Sequence, residues 1–374
     1  MTVRVVTLPR GADALAFATR AKRRGADALE VRDDLTEAFD VAVPLPLLLA
    51  HRGGRGFSKA LRPQWVDGPG GDIASQHFDR PLTPDEALKH WSGCTAPFIK
   101  HVEPQPDARL LETQRRLIEK HGEGRVTVLG VGDCALPWRA VLARRNAFDY
   151  LALDAASASA PGQRLLADAV RADRSTGPRL AIIGHRIEHA RSPRIHRQPF
   201  DRWDLPPEAP IEQLVEQLRD HYAGFAVTSP FKGRFRDAAV NTLVRSPFGW
   251  RAYNTDVDGA RTVLERHRVQ AFTILGDGGA AWALRKAARA ETVTVKAREA
   301  RAVGGDVFWT WPEHLPAPPG LRLDGARVFV ITYGAAANRL ARRITELGGA
   351  PVKAGATWFV AQARAQRRLW LEAA

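Results

Sequence analysis

Ala271-Phe272-Thr273-Ile274-Leu275-Gly276-Asp277-Gly278-Gly279-Ala280-Ala281 is an apolar run that breaks into glycines and resumes with helix formers. The run predicts a strand, the glycines a tight turn, and the alanines the start of a helix. Backbone N–H groups at such a helix start attract an anion. Gly276, Gly278, Gly279 and Ala280 are therefore candidates to hold a pyrophosphate in an α/β dinucleotide-binding unit. A Gly-x-Gly-Gly turn also serves ordinary tight turns, so its neighbours decide. The next strand-like run, Thr292–Val295, ends in Lys296-Ala297-Arg298, where a site for a free 2′-hydroxyl places a carboxylate. Basic residues there favour a 2′-phosphate, so Arg298 is expected to select NADP.

Upstream stand Val227-Thr228-Ser229-Pro230-Phe231-Lys232, then Ala239-Val240-Asn241-Thr242-Leu243 and Tyr253-Asn254-Thr255-Asp256. A lysine and a carboxylate converging on a cleft can move a proton on or off a hydroxyl. An ammonium also stabilises the oxyanion formed when a ketone is reduced. A lone lysine after a proline is usually a solvated loop residue, but Asn241 and Asp256 beside Lys232 reverse that reading. Proton-relay residues followed by a glycine-rich strand-to-helix turn suggest hydride transfer with a nicotinamide.

These motifs make residues 180–374 resemble shikimate dehydrogenase. The opening motif appears as Gly184 and His189-Ala190-Arg191-Ser192-Pro193, and the C-terminal glutamine as Gln362 in Gly355-Ala356-Thr357-Trp358-Phe359-Val360-Ala361-Gln362. The resemblance implies that Lys232 and Asp256 form the catalytic pair. It further implies that Thr228, Asn241 and Gln362 bind ring hydroxyls and Ser192 a carboxylate. The chain departs from the pattern at Ala190, Ala226, Trp309-Thr310-Trp311-Pro312 and Trp358, and Arg298 lies between Ala297 and Glu299. Two tryptophans beside a nicotinamide pocket either stack on it or fill it.

At 374 residues and 45% apolar content the chain is expected to hold two or three domains with proper cores. No apolar stretch reaches the roughly 18 residues of a membrane span, and Met1–Val6 reads as a strand, so a cytoplasmic enzyme without a membrane partner is expected. Cys94 and Cys134 have no metal-ligand or disulfide spacing. The net charge of +14 comes from scattered arginines without a recognition motif. It reads as a solvated basic surface that draws small anionic substrates rather than nucleic acid.

The first 160 residues repeat short apolar runs: Val3–Leu8, Ala28–Val31, Pro46–Ala50, Asp72–His77, Pro97–Val102, Arg125–Val131 and Phe148–Leu153. This repetition predicts βα units around a parallel sheet or barrel. Seven strands are countable where a closed barrel needs eight. Arg62–Gly71 reads as a turn where the fourth unit belongs. Pro97-Phe98-Ile99-Lys100-His101-Val102 sets Lys100 among apolar neighbours, where burial frees an amine to attack a ketone. The plainer reading is a lysine snorkelling from an edge strand. His77 lies near the end of the preceding run, where barrels collect catalytic groups.

These pieces resemble type I 3-dehydroquinate dehydratase. Glu30-Val31-Arg32, Arg52, His77, Lys100, Arg139 and the loop Ser159-Ala160-Pro161-Gly162-Gln163 carry the resemblance. It implies a Schiff base on Lys100, His77 as the base, and Glu30, Arg32, Arg52, Arg139, Ser159 and Gln163 as substrate-positioning groups. The family's fourth strand is not recognisable, nor is the glutamate that orients the histidine; Gly56 lies nearest that place.

The expected fold is α/β: a barrel-like domain (residues 1–175) lacking its fourth unit, then a two-lobed shikimate-dehydrogenase-like domain (176–374). In the latter a substrate lobe covers about 179–260 plus the C-terminal helix, and a Rossmann lobe about 261–350. The two resemblances imply consecutive reactions, 3-dehydroquinate to 3-dehydroshikimate to shikimate, with NADP as cofactor. A homodimer is left open. The competing expectation is a degenerate paralogue that binds shikimate-like acids with one or both activities lost.

Overall fold

The computed structural model describes residues 2–36, 42–54, 56–57, 61–173, 179–187, 190, 192–196, 200–235, 239–288, 292–295, 301–311 and 315–372. Its first eight strands are β1 (Val3–Thr7), β2 (Ala28–Arg32), β3 (Leu47–Ala50), β4 (Trp65–Asp67), β5 (Ile73–His77), β6 (Phe98–Pro104), β7 (Val126–Val131) and β8 (Phe148–Leu151). Helices α1 (Ala14–Arg23), α2 (Pro84–His90), α3 (Ala108–His121), α4 (Ala135–Leu142) and α5 (Leu166–Asp173) accompany them. The strands form one sheet in the order β7-β6-β5-β4-β3-β2-β1-β8.

Alternation sorts the side chains. Val6, Leu8, Leu29, Val31, Leu47, Leu49, Leu151 and Leu153 pack outward with Phe17, Ala18 and Ala21 of α1 and Leu166 and Ala169 of α5. Val5, Ala28, Leu48, Ala50, Ile73, Val102, Leu129, Phe148 and Tyr150 fill the interior. Inward residues of successive strands thus stack in layers, as a closed parallel sheet requires.

The seam between β7 and β8 is joined largely by side chains. Ala147 N–H donates to Val126 (2.8 Å), and Phe148 N–H donates to the Thr127 hydroxyl (3.0 Å). The buried Asn146 amide copies a strand: its Oδ1 accepts from Val128 N–H (2.9 Å) and its Nδ2 donates to the Val128 carbonyl (3.0 Å). Asn146→Ala leaves both backbone groups of Val128 without this partner. It is expected to cost about 2–6 kcal/mol, given roughly 1–3 kcal/mol for each of the two buried unpaired groups. The urea unfolding midpoint measures this, and an unchanged midpoint would assign the closure to other contacts.

The fourth strand corrects the sequence reading. β4 lies inside the stretch read as a turn. It pairs with β3 through Leu48↔Trp65, Leu49↔Val66 and Ala50↔Asp67, and with β5 at Asp67↔Ile73. The described residues of this unit include no helix. Parallel neighbours ordinarily need a crossover of about a dozen residues; here 68–72 turn straight back. A Cβ on Gly71 would stand 2.4 Å from the Val66 carbonyl oxygen, so only glycine permits the turn.

The second half holds β9 (Leu180–Gly184) and β10 (Phe200–Asp204) as a parallel pair, and β11 (Gly224–Val227), β12 (Thr242–Ser246) and β13 (Gly249–Tyr253) as an antiparallel meander. Helices α6 (Ser192–Ile195), α7 (Ile211–Gln217) and α8 (Asp256–Arg266) accompany them. Then β14 (Phe272–Leu275), β15 (Thr292–Val295), β16 (Asp306–Trp309), β17 (Arg327–Val330) and β18 (Ala350–Lys353) form a parallel sheet in the order β15-β14-β16-β17-β18.

The remaining helices are α9 (Gly279–Ala287), α10 (Ala335–Glu346) and α11 (Gly355–Glu372). One sheet face buries Phe272, Ile274, Phe308 and Phe329 against α8, α9 and α11. The other buries Leu275, Val307, Trp309, Val328 and Val330 against Ala337, Leu340 and Ile344 of α10. Helices on both faces of a parallel sheet make this lobe doubly wound. Trp309 therefore belongs to the core, its indole N–H bound to the Trp311 carbonyl (3.0 Å).

Contacts divide the chain into two compact units, Met1–His189 with Gln198–Tyr222, and Ala190–Arg197 with Ala223–Ala374. The division therefore differs from the expected cut at residue 175. β10 packs on α4 and α5 of the barrel. Among the described residues no helix is long and apolar enough to cross a membrane.

Candidate active sites

Lys100 stands in the middle of β6 with its side chain turned into the barrel, 4% exposed. Its Nζ lies 3.1 Å from Asp67 Oδ2, 3.9 Å from Glu30 Oε1 and 3.9 Å from the centroid of the Tyr150 ring. Burial pulls the ammonium below its ordinary range, although Asp67 and Glu30 oppose that pull. Asp67 also accepts from Arg52 Nη2 (2.5 Å), so one carboxylate at the end of β4 holds two cations. Those cations keep Asp67 ionised despite its burial.

His77 ends β5 in register with Val102, one inward position beyond Ser75↔Lys100. It thus lies toward the mouth of the barrel, with one side of the residue open to solvent. Loss of water around the ring, then the charges of Lys100 and Arg52, lower its pKa to about 4. An imidazole so placed is an uncharged base at neutral pH.

Glu30 accepts a hydrogen bond from Thr7 Oγ1 (2.6 Å), and Ser159 Oγ lies 3.4 Å from the same Thr7 oxygen. Gln163 Oε1 accepts from Ser159 N–H (2.8 Å), which folds the closing loop on itself. Gly162 within that loop has φ +72°, and a Cβ there would stand 2.8 Å from the Gly132 carbonyl oxygen. Arg139 on α4 is 5% exposed, and its Nε and Nη1 have no hydrogen-bond partner. Burial lowers its pKa to about 10. Buried N–H groups of a cation without hydrogen-bond partners are an unmet demand for an anion. Arg32, by contrast, is held by Asp34 (3.0 and 2.7 Å).

In the second half Lys232 follows β11 in a short 3-10 turn, Phe231–Gly233. Its Nζ donates to Asp256 Oδ2 (2.5 Å), and Asp256 opens α8. Asp256 Oδ1 accepts from the Trp358 indole N–H (3.2 Å), while Asp256 N–H donates to Asn254 Oδ1 (3.0 Å). Asn241 Oδ1 accepts from Thr255 N–H (2.8 Å) and from the Thr242 hydroxyl (2.8 Å), and its Nδ2 is buried without a partner. Thr228 is half-buried just before the turn, and Ser192 is buried at the start of α6.

Trp358, Gln362, Gln366 and Trp370 repeat every fourth residue along α11, on one face. Gln366 Nε2 donates to the Asn241 carbonyl (3.0 Å) and Trp370 Nε1 to the Leu243 carbonyl (2.9 Å). Gln362 is half-buried between these anchors.

Gly276 leaves β14 at φ +113°, and a Cβ there would stand 2.6 Å from Thr310 Oγ1. Gly278 caps α9, and a Cβ there would meet nothing within 4 Å, so the cradle above it is open. Gly279 and Ala280 begin α9. The turn stands where the sheet order reverses between β15-β14 and β14-β16, the crevice in which open α/β sheets bind ligands. Arg298 lies outside the described residues. Among the described residues, no group of three histidine, cysteine, aspartate or glutamate side chains could hold a metal ion.

The sequence reading missed Asp67, Tyr150, Trp358's hold on Asp256, and Gln366. The four-residue spacing along α11 was a usable signal for the last two. Asp67 followed Trp65 in an alternation too short to stand out.

The architecture defines two site classes in one chain: a parallel barrel with a buried amine, and a nucleotide-type α/β lobe beside a Lys–Asp pair. No protein-family model matches the chain. Over 150 residues it is 33% identical to shikimate dehydrogenase (NADP(+)) of Anaeromyxobacter dehalogenans strain 2CP-1, covering 32% of this chain and 54% of that protein. Over 130 residues it is 36% identical to the Xylella fastidiosa (strain Temecula1) enzyme of the same name, covering 28% and 46%. The chain spans about half the length of the curated relatives it matches.

Among solved structures it is similar to shikimate dehydrogenase 1 from Peptoclostridium difficile (17% identity, TM-score 0.43, 53% of this chain and 93% of that one). It is also similar to the dehydroquinate dehydratase and shikimate dehydrogenase from S. pombe AroM (15% identity, TM-score 0.39, 99% and 96%).

Proposed function

We propose that the chain is a bifunctional enzyme: it dehydrates 3-dehydroquinate to 3-dehydroshikimate in the barrel and reduces that product to shikimate with NADPH. The observation that carries the reading is the pair of amines, Lys100 on Asp67 and Lys232 on Asp256, each beside residues suited to its chemistry. Sequence similarity to NADP-dependent shikimate dehydrogenases supports the second activity.

In the barrel the uncharged Lys100 amine adds to the C3 ketone and loses water to give an iminium. Its positive charge accepts electron density when His77 removes the C2 proton. His77 returns that proton to the departing C1 hydroxyl, and water hydrolyses the imine. Arg139 supplies the charge that a substrate carboxylate needs, while Glu30, Arg32, Arg52, Ser159 and Gln163 fix the ring.

In the second half Lys232 donates a proton to the developing alkoxide while its charge stabilises it. Asp256 orients the lysine, and Trp358 fixes the carboxylate's other oxygen. Asn241 offers its unpartnered Nδ2–H, with Thr228 and Gln362, to ring hydroxyls, and Ser192 takes the carboxylate. The open cradle at Gly276, Gly278, Gly279 and Ala280 fits a dinucleotide pyrophosphate, with Arg298 assigned to the 2′-phosphate. NADPH supplies a hydride when bound.

A coupled assay tests both halves. 3-Dehydroquinate should drive loss of NADPH absorbance without added dehydratase. NADPH oxidation with 3-dehydroshikimate but not with 3-dehydroquinate would refute the barrel assignment and favour a degenerate first half. Failure with both substrates would refute the dehydrogenase half, and the absorbance of 3-dehydroshikimate formed from 3-dehydroquinate then tests the barrel by itself.

A further inference from the structure

The barrel's substrate-gripping parts are tied to β10, which the sequence assigns to the second domain. Arg164 directly follows Gln163 of the closing loop. Its Nη1 donates to Asp149 Oδ2 on β8 (2.8 Å), and its Nη2 lies 3.7 Å from Asp201 Oδ1 on β10. Asp201 is 3% exposed and also receives Arg179 Nε and the Tyr222 hydroxyl (2.8 Å). Arg179 in turn donates through Nη2 to the Ala140 carbonyl (2.5 Å), the residue after Arg139. One buried carboxylate therefore pairs with Arg164 beside Gln163 and, through Arg179, is linked to α4 at the residue after Arg139.

The loop packs against α4 at Gly162 but borders open space elsewhere. Ala158, Ala160, Pro161, Gly162 and Gln163 line a cavity of about 260 Å³ together with Asp201 of β10. A loop backed by a cavity has room to shift, so its position rests on its anchors. Gly162 seats it against the start of α4, and Arg164 seats its end on Asp149 and Asp201.

We infer that Asp201 is a positioning residue for the barrel reaction, holding the closing loop and Arg139 in register with Lys100 from the other half of the chain. The inference rests on the dehydratase reading of the barrel. It makes dehydration depend on a residue that a barrel cut at residue 175 would lack.

In the full chain, Asp201→Asn is expected to raise KM for 3-dehydroquinate about tenfold or more. A misplacement of about 1 Å in a positioning group costs up to roughly 100-fold. Borohydride at saturating 3-dehydroquinate should still label Lys100 in this variant, because the amine and His77 are untouched.

The decisive measurement is a double-mutant cycle on KM. Gln163→Ala should cost much less in the Asp201→Asn background than in the parent, because the loop that it weakens is already displaced. Additive effects, or an unchanged KM in Asp201→Asn, overturn the inference. Should Asp201→Asn not fold, Arg164→Lys replaces it in the same cycle, with the same two outcomes. Absence of dehydration and of Lys100 labelling in the parent would instead refute the dehydratase reading.

Discussion

Lys100→Met is expected to lower dehydration of 3-dehydroquinate by about 10⁴-fold or more, the scale on which loss of a covalent nucleophile acts, and to abolish borohydride trapping. Methionine keeps the length of the buried stem that ends over the Tyr150 ring. Asp67 retains Arg52 as its partner, so the substitution does not strand a carboxylate. NADPH-dependent turnover of 3-dehydroshikimate should be unchanged, which separates loss of chemistry from loss of fold. Dehydration surviving in this variant would remove the Schiff base from the mechanism.

The pH profile of the parent belongs to the same test. In the proposed mechanism dehydration needs both Lys100 and His77 uncharged. With the His77 pKa lowered to about 4, the histidine limb should lie near that pH and not near 6.5. The lysine limb should lie below the ordinary lysine range, because burial lowers it. Asp67→Asn should move the lysine limb further down, since that carboxylate favours the ammonium.

Stability follows the same sign. The unfolded chain takes up the histidine proton first as pH falls below about 6.5. The part of stability linked to His77 is therefore complete above that pH and declines as pH falls toward 4.

Lys232→Ala is expected to reduce NADPH-dependent reduction of 3-dehydroshikimate by about 10²–10⁴-fold, the range for losing a positioned general acid. NADPH affinity should stay close to that of the parent, because the cradle at Gly276 and Gly278 lies on β14 and α9, elements that Lys232 does not build. Calorimetric titration with NADPH and steady-state rates give the two readings. Undiminished turnover would strip Lys232 of its role. Loss of NADPH binding would make the lysine part of the cofactor site instead.

Much of the candidate site was legible because residues suited to chemistry cluster in sequence where strands end. Lys100 and His77 lie on adjacent strands, and their inward direction follows from alternation among apolar neighbours. Lys232, Asn241 and Asp256 lie within one strand-turn-strand segment, so short-range order brought them together. The glycine turn after Leu275 was readable because a left-handed backbone and a close approach to Thr310 both exclude a side chain. Trp309 shows the limit: its residue type left stacking on a nicotinamide and filling a core equally open, and packing against α10 chose the core.

The sequence alone determined the two α/β halves, the strands that carry the lysines, and the glycine cradle, because each rests on periodicity or on local backbone sterics. Tertiary structure decided what those signals could not carry. Three residues, Trp65–Asp67, become a strand only through pairing with β3 and β5, and that pairing delivers Asp67 to Lys100 and Arg52. Trp358 reaches Asp256 across 102 positions of chain, and Asp201 reaches Arg164 across 37. Buried ion pairs and indole hydrogen bonds of this kind leave no local period, since their partners are chosen by how the layers close and by the need to satisfy charge away from water.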